Sequence, residues 1–322
     1  MITYSAKSMR ARASLAVAFG LCTFVVSGCH SQSAPPAAES ASPPAFVSHF
    51  DGALAYGLLK DQCDFGPRTP GTAAHERCKK YILDKLAGNV DSWTLQPFSY
   101  YDPDRHVTLH LTNIIAEINP QARKKVLLFT HWDTRPTADQ EVDDAKKKQP
   151  IMGADDGASG TAVLLELAHT LHQYKPSVGV ILLFVDGEDW GPNDNHMYLG
   201  AKYYAAHLPV VKPAYGILLD MIGQSNLQVY REITSENLHP ELNDKVWSAA
   251  ASIGDGSFFP DTTKYQISDD HDSLNAAGVP SIDLIDFDYP YWHTLDDTAD
   301  KCSAQSLQVT GDVMVKVLSE EH

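Results

Sequence analysis

Residues 178–185 (VGVILLFV) constrain the fold of this chain most, because eight residues in a row carry no polar side chain. The run is far too short to cross a membrane. It also lacks the alternation of polar and apolar residues that marks a half-exposed strand. An uninterrupted apolar run of this length is typical of a strand that is buried on both faces by helices.

Other segments of the chain have the apolar patterns of strands or of helices. Strands are predicted at 107–118, 125–131, 217–222 and 281–287. Helical spacing of apolar residues is found at 72–90, 158–171 and 304–318. Strands that alternate with helices predict an α/β fold, a three-layer sandwich around a mostly parallel, mixed central sheet with helices on both faces.

The N-terminal residues have the features of an export signal. Lys7, Arg10 and Arg12 precede an uncharged, mostly apolar run at 13–26. The following Val-Ser-Gly-Cys resembles a bacterial lipobox, in which Cys29 becomes the lipidated first residue. We therefore expect a lipoprotein signal peptide at 1–28 and an exported lipoprotein in the periplasm or the outer membrane. A plain signal peptide with a chance cysteine is the alternative.

The remaining chain divides into a short linker and one domain. Residues 29–46 are rich in Ser, Ala and Pro and predict a flexible tether. Residues 47–322 show no internal repeat and no second linker, so we expect one catalytic domain. Cys63 and Cys78 flank a short turn-rich segment, which favours a local disulfide in an oxidising compartment, with free thiols as the alternative.

Charge narrows the classes of partner. The chain has 25 Lys and Arg residues against 41 Asp and Glu residues, a formal net charge of −16. Such a chain repels nucleic-acid phosphates, so we expect no nucleic-acid partner. It also lacks a basic face for anionic lipid, so membrane contact is expected only through a lipid on Cys29.

Acids and histidines follow the predicted strands, at the points where the strands end. One apolar run ends in His131, the next is followed by residues 186–189 (DGED), and a third ends in Asp220. Ligands of open α/β sheets bind outside the carboxyl ends of the strands. Buried carboxylates repel one another unless a cation compensates them, and His with carboxylates suits catalytic zinc. Separate surface acids, helix caps and a core histidine are the alternative interpretation.

Six short motifs carry a resemblance to the zinc aminopeptidase superfamily, and more closely to its glutaminyl cyclase branch in the bacterial form. They are HWD at 131–133, GADDGASG at 153–160, DGED at 186–189, LLD at 218–220, SDDH at 268–271 and WHT at 292–294. Both their order and their spacing agree with the superfamily.

The resemblance implies a role for each matching residue. Asp156, Asp189 and His293 would bind one zinc ion, and Glu188 would transfer protons. Asp220 and Asp269 would belong to the proton network of the cyclases. Animal cyclases usually carry Glu where Asp189 stands, so the metal would lie nearer to that strand in this protein.

The same resemblance implies a substrate and a reaction. A peptide or protein with N-terminal Gln would be converted to pyroglutamate with release of ammonia, by an enzyme that we expect to be a monomer. Trp292 would wall a pocket for the Gln side chain, and Trp190 and Tyr289 are further candidates for substrate contacts. Ordinary aromatic packing is the alternative for all three.

Two other functions remain open at this point. A dinuclear zinc aminopeptidase would use His131, Asp156 and Asp220 on one ion and Asp156, Asp189 and His293 on a second, while Glu188 activates water. A lipid-anchored binding protein with a vestigial site is the third possibility, but the intact set of ligand types argues against it.

Overall fold

The apolar runs that predict buried strands form the centre of one six-stranded sheet. The computed structural model describes residues 46–322, so the expected signal peptide, the lipid site at Cys29 and nearly all of the tether lie outside the described residues. The strands are β1 (Ser92–Asp102), β2 (Val107–Ile118), β3 (Lys125–His131), β4 (Gly179–Val185), β5 (Tyr215–Asp220) and β6 (Ser281–Ile285).

The sheet is mixed, and its parallel half contains the candidate site. The strand order is β1-β2-β4-β3-β5-β6. β1 and β2 are antiparallel to each other, and β2 is antiparallel to β4, whereas β4, β3, β5 and β6 run parallel. The register pairs His131 with Val185 and Asp220 with Ile285. The carboxyl ends of these four strands therefore lie at one edge of the sheet.

Helices cover both faces of the sheet, which confirms the predicted three-layer sandwich. They are α1 (Gly52–Cys63), α2 (Ala73–Leu86), α3 (Ala158–Gln173), α4 (Leu199–Ala206), α5 (Ile233–Leu238), α6 (Pro240–Ile253), α7 (Asp270–Ala276) and α8 (Ala304–Ser319). Among residues 46–322, no helix combines the length and the hydropathy that a membrane span requires.

Two apolar cores on opposite faces hold the layers together. Alternate residues of β3 belong to different cores, because successive side chains of a strand point to opposite faces of the sheet. Val126 and Leu128 pack in the larger core with α1, α2, α3, α6 and α8. Leu127 and Phe129 pack in the smaller core with α4 and α7. All seven residues of β4 are buried, as expected for a strand covered on both faces.

The structure also contains elements that the sequence patterns do not reveal. β1 is an edge strand whose residues are mostly exposed or half-buried, and it contains Pro97. It therefore lacks the apolar pattern that identifies the central strands. β5 begins two residues before the predicted run and ends at Asp220 instead of residue 222.

The expected disulfide between Cys63 and Cys78 is wrong for this structure. Both residues are free thiols, as is Cys302. Cys78 is fully buried in the larger core, and Cys63 packs against that core from the end of α1. Burial raises the pKa of Cys63 to about 11 and that of Cys78 to about 12, so both groups are protonated at neutral pH.

We predict that these thiols are unreactive in the folded protein. Because the thiolate is the reactive form, iodoacetamide at neutral pH should leave Cys63 and Cys78 unmodified under native conditions. Urea without a reductant should make both available for alkylation, as peptide mass spectrometry would show. A sample reduced before denaturation is the control. If Cys63 and Cys78 were alkylated only in the reduced sample, they would form a disulfide.

Candidate active site

Four parallel strands and the segments that follow them bring the motif residues to one edge of the sheet. β3 ends in His131, β5 ends in Asp220, and the segment after β4 contains Glu188 and Asp189. The loop after β6 carries His293. A cavity of about 420 Å³ lies at this edge, and Asp156, Glu188, Asp189, Asp220, Asp269, Trp292 and His293 contribute to its lining.

Asp156, Asp189 and His293 converge on one point. One ligand atom from each lies within 4.8 Å of the other two. The His293 Nε2 atom is 3.5 Å from Oδ2 of Asp156 and 3.4 Å from Oδ1 of Asp189. All three residues are buried. The structure thus brings together the three residues that the resemblance assigns to a metal.

The unpaired oxygens of this cluster fit a divalent cation. Oδ2 of Asp156 and Oδ2 of Asp189 are buried and have no hydrogen-bond partner. An uncompensated buried carboxylate is unfavourable by several kcal/mol, on the order of the penalty for a buried ion. Two carboxylates and one imidazole without a thiolate suit zinc with an open coordination position.

A second group of possible ligands lies beside the first. His131 Nε2 is 3.1 Å from Oδ1 of Asp156 and 3.2 Å from Oδ1 of Asp220. Burial lowers the pKa of His131, but the neighbouring carboxylates of Asp133, Asp156 and Asp220 raise it well above 6.5. These carboxylates therefore favour the protonated form of His131.

Glu188 lies in a buried position that suits proton transfer. Its backbone N–H donates to Oδ1 of Asp133 over 3.1 Å, and that of Asp189 donates to Oδ2 over 3.2 Å. Burial raises the pKa of Glu188 well above 4.5, and the nearby charges of Asp189, Asp270 and Asp220 add to this rise. A carboxyl group with a raised pKa can both accept and donate a proton near neutral pH.

Two acids from the start of α7 lie beside Glu188. Asp269 lines the cavity and caps α7, where its Oδ1 accepts the N–H of Asp270 over 2.6 Å. Burial, then the charge of Asp220, raises the pKa of Asp269 well above 3.8. Asp270, which the sequence analysis did not select, is fully buried and neither of its carboxylate oxygens has a partner. The SDDH motif thus contributes two buried acids.

The aromatic candidates have different positions. Trp292 lines the cavity and stacks on the His293 ring at a centroid distance of 3.9 Å. Trp190 instead donates from Nε1 to Oδ2 of Asp102 over 2.8 Å and packs with Leu109 and Leu111. Tyr289 is buried and donates to Oδ1 of Asp297 over 2.7 Å. Of the three aromatic candidates for substrate contacts, Trp292 lines this cavity, whereas Trp190 and Tyr289 do not.

Arg68 and Asp297 hold the loop that carries Asp156. Arg68 donates to the carbonyl oxygens of Trp132, Met152 and Gly153. Asp297 accepts the backbone N–H groups of Asp155 and Asp156 over 2.9 and 3.3 Å.

Asp155 has a structural role that differs from that of its neighbour. Neither Asp155 nor Asp156 caps α3, whose N-cap is Gly157 without a side-chain bond. Oδ1 of Asp155 accepts the backbone N–H of Gly223 over 2.6 Å. Only the second acid of the GADD motif is therefore directed into the cavity.

Sequence analysis also missed Arg135 and Asp139. Arg135 Nη1 donates to Oδ1 of Asp189 over 2.5 Å. Despite burial, the charges of His293 and Arg135 lower the pKa of Asp189 to about 2. Interactions with Asp189 and Asp139 outweigh burial and raise the pKa of His293 to about 9. The only sequence signal for this pair is its position in the polar loop after HWD.

Comparisons with known proteins agree with this geometry. The sequence profile of peptidase family M28 matches residues 113–318. A glutaminyl-peptide cyclotransferase of Drosophila melanogaster is 30% identical over 271 residues, covering 72% of this chain and 71% of the fly protein. The similarities confirm both the superfamily and the cyclase resemblance that the motifs indicate.

Solved structures of two bacterial proteins show the same fold. Glutaminyl cyclase from Bacteroides thetaiotaomicron, bound to N-acetylhistamine, has a TM-score of 0.82 and 36% identity, covering 86% of this chain and 100% of that chain. A leucine aminopeptidase precursor from the same species also has a TM-score of 0.82, with 37% identity and coverage of 86% and 99%. The overall similarity to these two structures therefore does not distinguish a cyclase from an aminopeptidase.

We predict that Gly157 is required for the geometry of the site. Its φ is +100°, and a Cβ there would lie 2.7 Å from the carbonyl oxygen of Asp133. Gly254 is a matched control, with a φ of +97° and open space around it. Gly254→Ala should lower the free energy of unfolding by about 1–2 kcal/mol through backbone strain alone.

Gly157→Ala should lose a further ~1–3 kcal/mol, because the clash with Asp133 adds to the same strain. Urea unfolding followed by circular dichroism would measure both variants. Equal losses would show that the close approach at Gly157 contributes nothing.

Proposed function

The chain belongs to peptidase family M28, and we propose that it is a glutaminyl-peptide cyclotransferase that uses zinc. It would convert the N-terminal Gln of peptides and proteins to pyroglutamate and release ammonia. The observation that carries the proposal is the position of Glu188. This buried acid lines the same cavity as Asp156, Asp189 and His293, with Trp292 stacked on the His293 ring.

Asp156, Asp189 and His293 are the residues that would hold the ion. A bound zinc ion supplies Lewis-acid chemistry, which polarises a carbonyl oxygen of the substrate. One ion is expected at this cluster, because Asp156, Asp189 and His293 each offer one ligand atom within 4.8 Å of the other two.

Glu188 moves the proton in the proposed reaction. Its carboxylate accepts a proton from the α-amino group of the substrate, whose nitrogen attacks the γ-carbonyl carbon of the Gln side chain. Glu188 then donates that proton to the leaving amide nitrogen, so the C–N bond breaks and ammonia departs. The raised pKa of Glu188 lets one group perform both transfers near neutral pH.

Neighbouring residues prepare this step. Asp269 lines the cavity with a raised pKa and is suited to hydrogen-bond the departing nitrogen. Asp220 lies at the end of β5, 3.2 Å from His131 Nε2. Trp292 supplies an apolar wall, which would orient the Gln side chain and exclude water from the reacting atoms.

A dinuclear aminopeptidase is the second candidate, and one observation favours it. His131, Asp156 and Asp220 form a further group whose ligand atoms lie within 4.8 Å of one another. A second ion at this group would bind the neutral form of the His131 imidazole. Glu188 would then act as a general base toward water instead of toward a substrate amine.

The proposal also covers the location of the enzyme. The lipobox-like residues before Cys29 support an exported lipoprotein whose catalytic domain is tethered to a membrane as a monomer. Expression of the full chain with an alkyne-labelled fatty acid should label the wild-type protein but not Cys29→Ala. Label on the variant would contradict a lipid at Cys29.

Substrate assays with zinc analysis separate the two candidate activities. Purified protein should release ammonia from a peptide with N-terminal Gln and should contain one zinc ion per chain. Release of leucine from a leucine anilide, with two ions per chain, would overturn the cyclase assignment. A peptide with N-terminal Asn is the matched control for ring size, since its side chain is one methylene shorter.

We predict that Glu188→Gln lowers kcat for ammonia release by about 10²–10⁴-fold, because the amide cannot carry the proton. Zinc content and the unfolding midpoint should stay at the wild-type values. Glu76→Gln, on the exposed surface of α2, is the control and should retain full activity. Retained turnover in Glu188→Gln would remove this residue from the mechanism.

A further inference from the structure

Arg135 and Asp139 form a buried connection between two of the proposed metal ligands. We infer that Arg135 is a positioning residue, which together with Asp139 fixes Asp189 and His293 for zinc; this inference rests on the proposed function. We call the two residues the Arg135–Asp139 clamp. They lie in the loop after β3, and Arg135 is 54 residues before Asp189 in the chain.

One end of the clamp holds the carboxylate of Asp189. Arg135 Nη1 donates to Oδ1 of Asp189 over 2.5 Å. The same Oδ1 lies 3.4 Å from Nε2 of His293, and Oδ2 is buried without a hydrogen-bond partner. The guanidinium therefore fixes the Asp189 carboxylate beside the imidazole of His293.

The other end of the clamp orients His293. Arg135 Nε donates to Oδ2 of Asp139 over 2.8 Å, and Oδ1 of Asp139 lies 3.1 Å from Nδ1 of His293. A proton on Nδ1 leaves Nε2 as the nitrogen with a free lone pair. Nε2 is the atom that faces Asp156 and Asp189, at 3.5 and 3.4 Å.

The environment of Arg135 explains why an arginine is needed. Its side chain is 4% exposed, and a Cβ on Gly191 would come within 2.7 Å of its Cζ atom. The guanidinium thus lies against a backbone that carries no side chain. Two separate nitrogens bind two carboxylates at once, which the single ammonium of Lys cannot reproduce with the same geometry.

The clamp also accounts for an Asp at position 189. The short side chain of Asp189 places Oδ1 2.5 Å from Arg135 Nη1 and 3.4 Å from Nε2 of His293 at the same time. Arg135 also balances part of the negative charge of this buried region without occupying a ligand atom of His293. Such outer partners typically change metal affinity by about 10–100-fold when they are removed.

The test compares zinc affinity in three variants of the full chain. Arg135→Lys keeps the charge but loses the two-point contact, and Asp139→Ala removes the partner of both Arg135 and His293. Arg105→Lys is the matched control, because Arg105 bonds Asp102 and the Gly191 carbonyl from the opposite side. Zinc Kd is measured by competition with a chromophoric chelator, and coordination by the visible spectrum of the cobalt(II)-substituted protein.

Arg135→Lys and Asp139→Ala should each weaken zinc binding by about 10–100-fold and alter the cobalt(II) spectrum. Arg105→Lys should retain the wild-type Kd within about twofold, since its side chain contacts none of the proposed ligands. A variant with both Arg135→Lys and Asp139→Ala should lose less zinc affinity than the sum of the losses in the two single variants, because both residues act through one connection.

The outcomes separate this inference from the proposed function. Wild-type Kd and cobalt(II) spectra in both clamp variants would overturn the inference while leaving the enzyme assignment intact. Failure of the wild-type protein to bind zinc would overturn the proposed function itself. Circular dichroism of the zinc-free variants checks that they fold. If Arg135→Lys does not fold, Asp139→Ala alone tests the inference, because the Asp139 side chain is 31% exposed and its loss disturbs the core less.

Discussion

The concentration of buried carboxylates at one edge of a parallel sheet is the constraint on which this structure depends. Asp156, Glu188, Asp189, Asp269 and Asp270 are each less than a tenth exposed. Their mutual repulsion and desolvation would oppose folding by several kcal/mol if nothing compensated them. Protonation, Arg135 and His131 can each compensate part of that charge, and the proposed cation would compensate more.

Backbone contacts keep the acids in place even though repulsion would separate them. Asp133 and Asp297 each accept two consecutive N–H groups, and these belong to the segments that carry Glu188, Asp189 and Asp156. Arg68 holds three carbonyl oxygens of the surrounding loops. The site is therefore organised before any ligand binds, which reduces the reorganisation that catalysis requires.

The two candidate activities use nearly the same ligand set, so the surroundings of that set decide between them. His131 lies between carboxylates, with Nε2 3.1 Å from Oδ1 of Asp156 and 3.2 Å from Oδ1 of Asp220, so the second ion of an aminopeptidase would have to bind at this group. Trp292 lines the cavity beside the first cluster. The indole favours a small side-chain pocket, as the proposed cyclase requires.

The sequence by itself determined the layers, the central strands and the motif residues, because apolar periodicity and residues at strand ends are local patterns. It could not predict which side chains of a motif face the cavity. Asp186 and Trp190 lie on the β2 side instead, where Asp186 accepts the N–H of Thr112 and Trp190 donates to Asp102. Only the tertiary structure revealed the Arg135–Asp139 clamp and the free thiols of Cys63 and Cys78. Asp139 and His293 are 154 residues apart, and their contact depends on the paths of two loops that no local pattern specifies.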